Sequence, residues 1–382
     1  MNTTLDNSSR DKVVLRVAVG AMFFMAGLCF ASWASRIGNI QQNLGLSLAA
    51  LGGILLAIPV GLLASLPFSG WIITKIGSKH LLVGSLTVYG VTLISLGLAQ
   101  NSLQLFSCLF LFGFSSNAVN ISVNTQAVAV EKLYSKPIMA SFHGLWSLAG
   151  FAGAGIGSLM IAEKIDPYHH FVIISGSVIA SILIAIRSLN DDRSSGGGPV
   201  FVMPDSSLIK LGIIAFCSMI CEGTMFDWST IYFRDVIHPS KELVGIGFTS
   251  FMLAMASGRF VADWFAHRFG LKNILMISGS LTAGGLLTAV VFPYLLPGIF
   301  GFILVGLGVS SVVPMIYSAA GKSKTMAPGV AIAAVSTIGF FGFLFAPPLI
   351  GFIASIATLR ASFLLIACMG VSVVVVSART RL

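Results

Sequence analysis

Charged residues are scarce in this chain, and their scarcity excludes an ordinary soluble protein. Lys, Arg, Asp and Glu make up 9% of the 382 residues, whereas a soluble domain carries about 25%. Hydrophobic residues make up 56% of the chain, and the mean hydropathy is +0.96. That is more apolar surface than a single core hides from water, so part of it must face lipid. The sequence therefore predicts an integral membrane protein.

Cysteine is also scarce, and the motifs of several enzyme classes are missing. The five cysteines lie within apolar segments, and their spacing matches neither a metal site nor a disulfide framework. The sequence lacks a Walker-type phosphate loop, haem or zinc spacings and a Ser-His-Asp constellation. These absences argue against an ATP-driven pump, a membrane enzyme and a bound metal. We expect no cofactor, with a proton gradient as the energy source.

The chain contains long apolar segments instead. A helix crosses the bilayer with about 20 apolar residues, and twelve segments of that kind are separated by short polar turns. The segments are continuous rather than alternating, which favours helices over a barrel. They lie at about 13–35, 46–73, 80–99, 103–130, 138–162, 170–187, 208–233, 243–265, 273–291, 298–320, 328–357 and 361–378. The sequence therefore predicts an all-α membrane protein with twelve transmembrane helices.

The basic residues lie mostly at one set of span ends. With the N-terminus inside, sixteen of the 22 Lys and Arg residues fall at inner ends and five at outer ends, and cytoplasmic loops retain basic residues. We therefore predict a multi-pass protein of the bacterial inner (plasma) membrane with both termini cytoplasmic. The net charge of +9 then reflects this topology and the anionic lipids of the inner leaflet. Membrane lipid is an expected partner, and nucleic acid is not.

The two halves of the chain repeat one another. The longest polar segment, residues 188–207, is rich in Gly and Ser, with six spans before it and six after it. This pattern predicts two pseudo-symmetric six-helix bundles, over 1–187 and 208–382, joined by a cytoplasmic linker. Parallel repeats usually place a substrate site at their interface near the bilayer midplane. Three matches occur at an offset of about 193 to 195 residues: Trp33 with Trp228, Lys75-Ile-Gly77 with Arg268-Phe-Gly270, and Gly113 with Gly308.

This organisation resembles the major facilitator superfamily. The segment Gly70-Trp-Ile-Ile-Thr74-Lys75-Ile-Gly77-Ser-Lys79 between spans 2 and 3 is similar to the family's loop G-x-x-x-D-R-x-G-R-K. Residues 143–155, 221–228 and 346–351 resemble the fucose-permease-like branch. The resemblance implies the major facilitator fold and proton-coupled uptake of a sugar-like solute. One departure is that spans 1 and 4 carry no carboxylate within their apolar core, where fucose permease has acidic coupling residues.

Four charged residues are candidates for a cytoplasmic gate: Lys75, Arg259, Asp263 and Arg268. Thr74 stands where the family has its loop aspartate, so the first half lacks the carboxylate of the family's charge latch. Arg259 and Asp263 are one helical turn apart on one face. They form either a related latch in the second half or a local ion pair at the membrane surface.

Two carboxylates lie inside an apolar segment, the seventh span. They are Glu222 and Asp227, whereas the other acids lie in tails, loops or helix ends. An ionised carboxylate at the bilayer centre costs roughly 2.5–3.5 kcal/mol on insertion scales, so it faces a cavity, pairs or carries a proton. We predict proton coupling at Glu222; a carboxyl group that joins two helices, or one that binds solute, stays open. Asp227 beside Trp228 suits hydrogen bonding and stacking against a sugar, or it anchors the outer end of the span.

Span 4 carries Asn117, Asn120 and Asn124 on one face of an otherwise apolar helix. Amides offer both donors and acceptors, which suits an uncharged polyhydroxyl solute. The alternative is hydrogen bonding between helices. We predict that at least one of the three lines the solute cavity.

One histidine and two tryptophans complete the candidate residues. His143 lies about two turns into span 5 and titrates near neutrality, so it is either a proton relay with Glu222 and Asp227 or a structural histidine. Trp33 and Trp228 occupy repeat-related positions near the outer ends of spans 1 and 7. They either stack over the solute or belong to the interfacial aromatic belt.

The sequence as a whole predicts a secondary active transporter that works by alternating access. Its solute is expected to be small, polar and sugar-like, moved by proton symport, and the protein is expected to act as a monomer. One alternative is a proton-driven efflux antiporter for drugs or metabolites, with its 29 Phe and 14 Met residues as an adaptable lining. A second is a membrane sensor or binding protein that does not move solute.

Overall fold

The computed structural model describes residues 2–134, 138–190, 206–320, 323 and 328–380, and in these residues the chain is helical and contains no strand. Short 3-10 or π turns occupy Ile186–Ser188, Phe233–Ile237 and Lys241–Leu243. The helices run over Asn2–Asn43, Leu48–Leu55, Ala57–Leu98, Ser102–Glu131, Met139–Ala162, Pro167–Ala185, Ser206–Tyr232, Ile246–Phe269, Leu271–Val291, Leu295–Ser310, Val312–Ala320, Pro328–Ile356 and Leu359–Arg379.

Twelve helical stretches in the described residues are long and apolar enough to cross a membrane. Span 2 runs over Leu48–Ile73, span 3 over Lys75–Leu98 and span 10 over Leu295–Ala320, and each remaining span lies largely within one helix. Large apolar side chains project from the helix surfaces; Ile184 is 81% exposed and Leu296 is 76% exposed. Such exposure is unfavourable in water and favourable in lipid. The predicted all-α membrane fold with twelve spans is confirmed.

In the described part of the chain, four helix starts carry side-chain caps. The side chains of Ser47, Asn101, Asp166 and Thr358 each accept a hydrogen bond from the backbone N–H three residues later. A cap of this kind satisfies a donor that has no partner inside the helix. All four begin even-numbered spans, so they lie on the side opposite the predicted cytoplasmic termini, which we call the predicted outer side.

Two glycines at repeat-related positions share one unusual backbone conformation. Gly77 has φ 81° and ψ 163°, and Gly270 has φ 76° and ψ 156°. Only glycine adopts this region readily, because a Cβ would clash. Each glycine breaks the chain between two spans, and the two lie 193 residues apart as the sequence repeat requires. The match between Lys75-Ile-Gly77 and Arg268-Phe-Gly270 therefore extends to local structure.

A second repeat-related pair of glycines allows helices to touch. A Cβ on Gly113 would lie 2.0 Å from the carbonyl oxygen of Ile58, and a Cβ on Gly306 would lie 2.4 Å from that of Phe251. Both the glycines and their partners are 193 residues apart. The equivalent of Gly113 in packing is thus Gly306 and not Gly308, which corrects the register of the third sequence match by two residues.

Contacts divide the chain into two compact units. Unit 1 comprises Met1–Trp33, Ala57–Ile156 and Ile165–Gly196; unit 2 comprises Ala34–Leu56, Gly157–Lys164 and Gly197–Leu382. Parts of spans 1, 2 and 5 on the predicted outer side therefore group with the C-terminal spans, which hydropathy does not show. The division into bundles at 1–187 and 208–382 stays a prediction, and residues 191–205 of the linker lie outside the described residues.

A buried glutamine in unit 1 holds the chain that leaves span 6. Gln126 is fully buried in span 4. Its Nε2 donates to the Ser78 hydroxyl at 2.7 Å and to the Asn190 carbonyl at 2.6 Å, and the Asn190 N–H donates back to Oε1 at 2.9 Å. A network that satisfies both ends of a buried amide favours one arrangement. The start of the linker is therefore fixed beside the turn between spans 2 and 3.

Candidate functional site

Among the twelve candidate spans, span 7 (Leu208–Ile237) has the largest share of its residues buried inside the protein. It also carries the two carboxylates that lie within an apolar segment, Glu222 and Asp227. Close glycine contacts bring it against span 11. A Cβ on Gly342 would lie 2.5 Å from the Phe216 carbonyl oxygen, and a Cβ on Gly223 would lie 2.9 Å from the Phe343 ring. Small residues that allow such approach are typical of helix pairs in membranes. Glu222 and Asp227 therefore lie on a helix enclosed largely by protein.

Glu222 forms an ion pair with Arg259 of the helix Ile246–Phe269. Arg259 Nη2 donates to Glu222 Oε1 at 3.3 Å, and the side chains are 23% and 7% exposed. A carboxylate this deeply buried requires a partner or a proton. Arg259 is also predicted to belong to a cytoplasmic gate with Asp263, and that role stays a prediction. The side chain of Asp263 lies outside the described residues.

Asp227 has no such partner. Its side chain is partly buried, and it forms no hydrogen bond or ion pair with any residue that the structure describes. The neighbouring Phe226 ring packs against Phe248, Phe251 and Phe343, with ring centroids 6.5, 5.8 and 6.4 Å away. The hydrogen-bonding capacity of the Asp227 carboxylate is therefore unused within the described part of the chain.

Two more polar groups close to Asp227 lack partners. Trp228 is fully buried and Thr230 is 4% exposed, yet the indole N–H and the Thr230 hydroxyl make no hydrogen bond in the described part of the chain. An unsatisfied buried donor costs about 1–3 kcal/mol. By contrast, the adjacent Ser229 hydroxyl donates to the Met225 carbonyl. The unpartnered groups Asp227, Trp228 and Thr230 lie within four consecutive residues of span 7. Asp227 and Thr230 are about 60° apart around the helix, and Trp228 is about 100° from Asp227; we call these three residues the span 7 polar set.

Unit 1 contains unpartnered groups of the same chemistry. Trp33 is 1% exposed and Asn117 is 5% exposed, and neither the indole N–H nor the Asn117 Nδ2 finds a partner among the described residues. Asn120 is exposed on the helix surface, and Asn124 donates to its carbonyl at 2.8 Å and its Oδ1 at 2.9 Å. The three asparagines thus differ, and Asn117 is the buried one.

The remaining candidate residues are His143, Lys75 and Arg268. His143 is exposed in unit 1, and its ring centroid lies 5.4 Å from that of Phe23 in an edge-on contact. Lys75 in unit 1 and Arg268 in unit 2 are exposed. Their predicted roles in proton relay and gating stay predictions.

Three residues that the sequence analysis did not select form notable contacts. Arg36 is 1% exposed and donates to Asn39 Oδ1 at 3.4 Å. His170 is fully buried at the start of span 6. Arg234 binds the end of span 1. For Arg36 a signal existed, because Ser32, Arg36 and Asn39 recur at helical spacing on one face.

Twelve apolar helices with polar groups buried among them are typical of membrane transporters. In the described part of the chain, no group of three or more His, Cys, Asp and Glu residues is placed to hold a metal ion. The sequence profile of the Major Facilitator Superfamily matches residues 211–381.

Relatives and solved structures cover nearly the whole chain. The chain is 32% identical over 369 residues to an uncharacterized MFS-type transporter of Yersinia pestis, covering 96% of this chain and 95% of that protein. It is 31% identical to the membrane protein MosC of Rhizobium meliloti, covering 96% and 90%. The crystal structure of the nucleoside transporter NupG has the same fold, with a TM-score of 0.76 at 14% identity, covering 96% and 98%. The chain belongs to the major facilitator superfamily.

Proposed function

We propose that this transporter moves a small, neutral, sugar-like solute by proton symport, and that the span 7 polar set binds the solute. The observation that carries the proposal is that the partly buried Asp227 carboxylate and the buried Trp228 indole N–H and Thr230 hydroxyl find no partner among the described residues. A polyhydroxyl solute supplies acceptors for the indole N–H and donors for the carboxylate. Trp33 and Asn117 in unit 1 offer the same chemistry.

The donors distinguish a sugar from a lipophilic cation. A cation suits the Asp227 carboxylate but offers no acceptor to the Trp228 indole N–H, which would then stay unsatisfied. A buried site whose groups hydrogen-bond a ligand hydroxyl discriminates by several orders of magnitude against a ligand that lacks the hydroxyl. This chemistry supports the sugar-like assignment over drug efflux. The resemblance to the fucose-permease-like branch supports it as well.

The Glu222–Arg259 pair supports proton coupling. The pair is buried on the Glu222 side and is joined by a single hydrogen bond of 3.3 Å. A proton that binds Glu222 neutralises the carboxylate and removes its attraction to Arg259. The Glu222–Arg259 pair thus has two states, ionised and protonated, that differ by one proton. A transporter that couples solute movement to protons needs at least two such states. We therefore assign the coupling proton to Glu222 rather than to His143.

A ligand panel on purified protein tests the solute assignment. Sugars, polyols, nucleosides and lipophilic cations are each added at millimolar concentration, and the thermal unfolding shift is measured; a ligand at 100 times its Kd stabilises by about 2.7 kcal/mol. We expect a shift with one sugar class that is lost in Asp227→Asn and Trp228→Phe. Asp166→Asn and Trp71→Phe are matched controls, because Asp166 caps a helix and Trp71 is 63% exposed. Shifts with cations alone would favour the efflux antiporter.

Transport in liposomes tests the coupling. Glu222→Gln should abolish accumulation driven by a proton gradient and preserve exchange of labelled solute, because the variant still binds but cannot cycle a proton. Unchanged accumulation in Glu222→Gln would overturn the coupling role. Binding without exchange in the wild-type protein would indicate a sensor.

A further inference from the structure

Arg234 is held in one orientation at the end of span 7. It lies in the π-helical turn Phe233–Ile237, and its side chain is 17% exposed. Nε donates to Asp235 Oδ1 at 2.5 Å, and Nη2 donates to Oδ2 at 2.7 Å. A two-point contact of this kind fixes the plane of the guanidinium. Asp235 therefore orients Arg234 and leaves its other donors for a second partner.

That second partner is the end of the first helix, Asn2–Asn43. Arg234 Nη1 donates to the Gly38 carbonyl at 2.7 Å, and Nη2 donates to Gln41 Oε1 at 2.6 Å. Gln41 in turn donates through Nε2 to the Leu46 carbonyl at 2.9 Å. A cation is favoured near the C-terminus of a helix. We call Arg234, Asp235, Gly38 and Gln41 the Arg234 clasp; it ties span 7 to the turn between spans 1 and 2.

A second contact in unit 2 is a close approach between the backbones of spans 2 and 11. A Cβ on Gly52 would lie 2.5 Å from the Pro347 carbonyl oxygen, and a Cβ on Gly351 would lie 2.5 Å from that of Leu48. Spans 2 and 11 therefore touch along their backbones. These contacts bind them by shape, without a charged group.

A hydroxyl pair joins spans 5 and 8 in the same unit. Ser158 Oγ and Thr249 Oγ1 lie 2.9 Å apart. The clasp, the glycine contact and this hydroxyl pair each join a segment from before the linker to a segment after it. All three belong to unit 2, and all lie toward the predicted outer side.

We propose that the Arg234 clasp is the polar gate contact of this transporter on that side, and that Arg234 is the residue whose release permits span 1 to separate from span 7. Among the three contacts, the clasp alone carries a charged group, so it has the most hydrogen-bond energy to lose. Lysine cannot replace Arg234, because an ammonium lacks the fork that binds Asp235, Gly38 and Gln41 together. The proposal rests on membership of a transporter family and not on the identity of the solute.

Disulfide trapping measures the gate directly. With the five native cysteines replaced by serine, Ser158→Cys and Thr249→Cys place two thiols where oxygens lie 2.9 Å apart. The rate of disulfide formation under a mild oxidant then reports the fraction of time for which spans 5 and 8 are together. Arg234→Ala and Arg234→Lys should each lower the ratio of joined to separated spans on the order of tenfold, the factor expected when a charge-assisted hydrogen bond is lost, and should thereby slow disulfide formation. Gln41→Leu, which keeps the arginine, should slow it in the same direction.

Arg360 provides the matched control. It is also an arginine on the predicted outer side, and it donates through Nε and Nη2 to the Val290 carbonyl at 3.1 and 2.6 Å. Its contact joins spans 9 and 12, both after the linker, so Arg360→Ala should leave the cross-linking rate unchanged. Wild-type rates in Arg234→Ala and Gln41→Leu would overturn the proposal. An equal loss in Arg360→Ala would also overturn it, because the effect would then be general loosening.

Discussion

The Glu222–Arg259 pair allows a quantitative test of how the buried carboxylate is stabilised. At 3.3 Å the attraction between two unit charges is about 5 kcal/mol for an effective dielectric constant of 20. Desolvation of the buried carboxylate opposes most of this, so we expect a coupling energy of about 1–3 kcal/mol. The two single variants, Arg259→Gln and Glu222→Gln, should differ in how much stability they lose. Arg259→Gln leaves a carboxylate that is 7% exposed without its partner, whereas Glu222→Gln leaves a guanidinium that is already 23% exposed.

The assay is a double-mutant cycle on unfolding in mixed micelles, followed by far-ultraviolet circular dichroism. We expect Arg259→Gln to destabilise by about 3–5 kcal/mol, the usual loss when one member of a buried pair is removed. Glu222→Gln should destabilise less, because Arg259 can extend toward water. The double variant should be more stable than the sum of the two single effects predicts. Additivity within about 0.5 kcal/mol would refute the idea that the charges stabilise each other.

Two other predictions concern helix packing and a helix cap. Gly113→Ala and Gly306→Ala should each destabilise the protein by about 1–3 kcal/mol, because the added methyl group would meet a carbonyl oxygen. Gly176→Ala is the control, since nothing lies within 4 Å of its Cβ position. Equal destabilisation in all three variants would contradict the packing argument. The pKa of Asp166 is lowered by hydrogen bonds from His169, chiefly from its backbone N–H and next from its side chain. The ionised Asp166 therefore stabilises the fold fully above the usual aspartate pKa, and this stabilisation is lost as the pH falls through the lowered pKa. Unfolding followed against pH should show a wild-type advantage over Asp166→Asn near neutrality that disappears in acid, and a constant difference would contradict it.

The spans could be predicted from the sequence because lipid imposes a length and an average hydropathy on every crossing. The prediction failed where protein, not lipid, surrounds the chain. Span 1 was predicted to end near residue 35, but the helix continues to Asn43. Its last turns contain Arg36 and Gln41, which are buried in contact with protein. Hydropathy averages over a helix and cannot distinguish a buried polar face from a loop.

The residue types of the candidate site stand out in the sequence, whereas a contact between residues on different helices does not. Glu222 and Asp227 stand out because carboxylates in an apolar segment are rare. Periodicity relates only residues three or four positions apart, so it connected Arg259 with Asp263. The contact with Glu222 spans 37 positions and depends on how two helices pack. Arg234 was missed for the same reason, since its partners lie in span 1.

The four capped helix starts have a consequence for how the chain enters the membrane. Ser47, Asn101, Asp166 and Thr358 begin spans on the predicted outer side, so each of these turns must be carried through the apolar layer during insertion. A backbone N–H that loses water there without a substitute costs several kcal/mol. Here the acceptor comes from a side chain at the start of the same helix, so it travels with the turn. Each of these four helix starts thus keeps a side-chain acceptor for its backbone N–H, in place of water, while it crosses the bilayer.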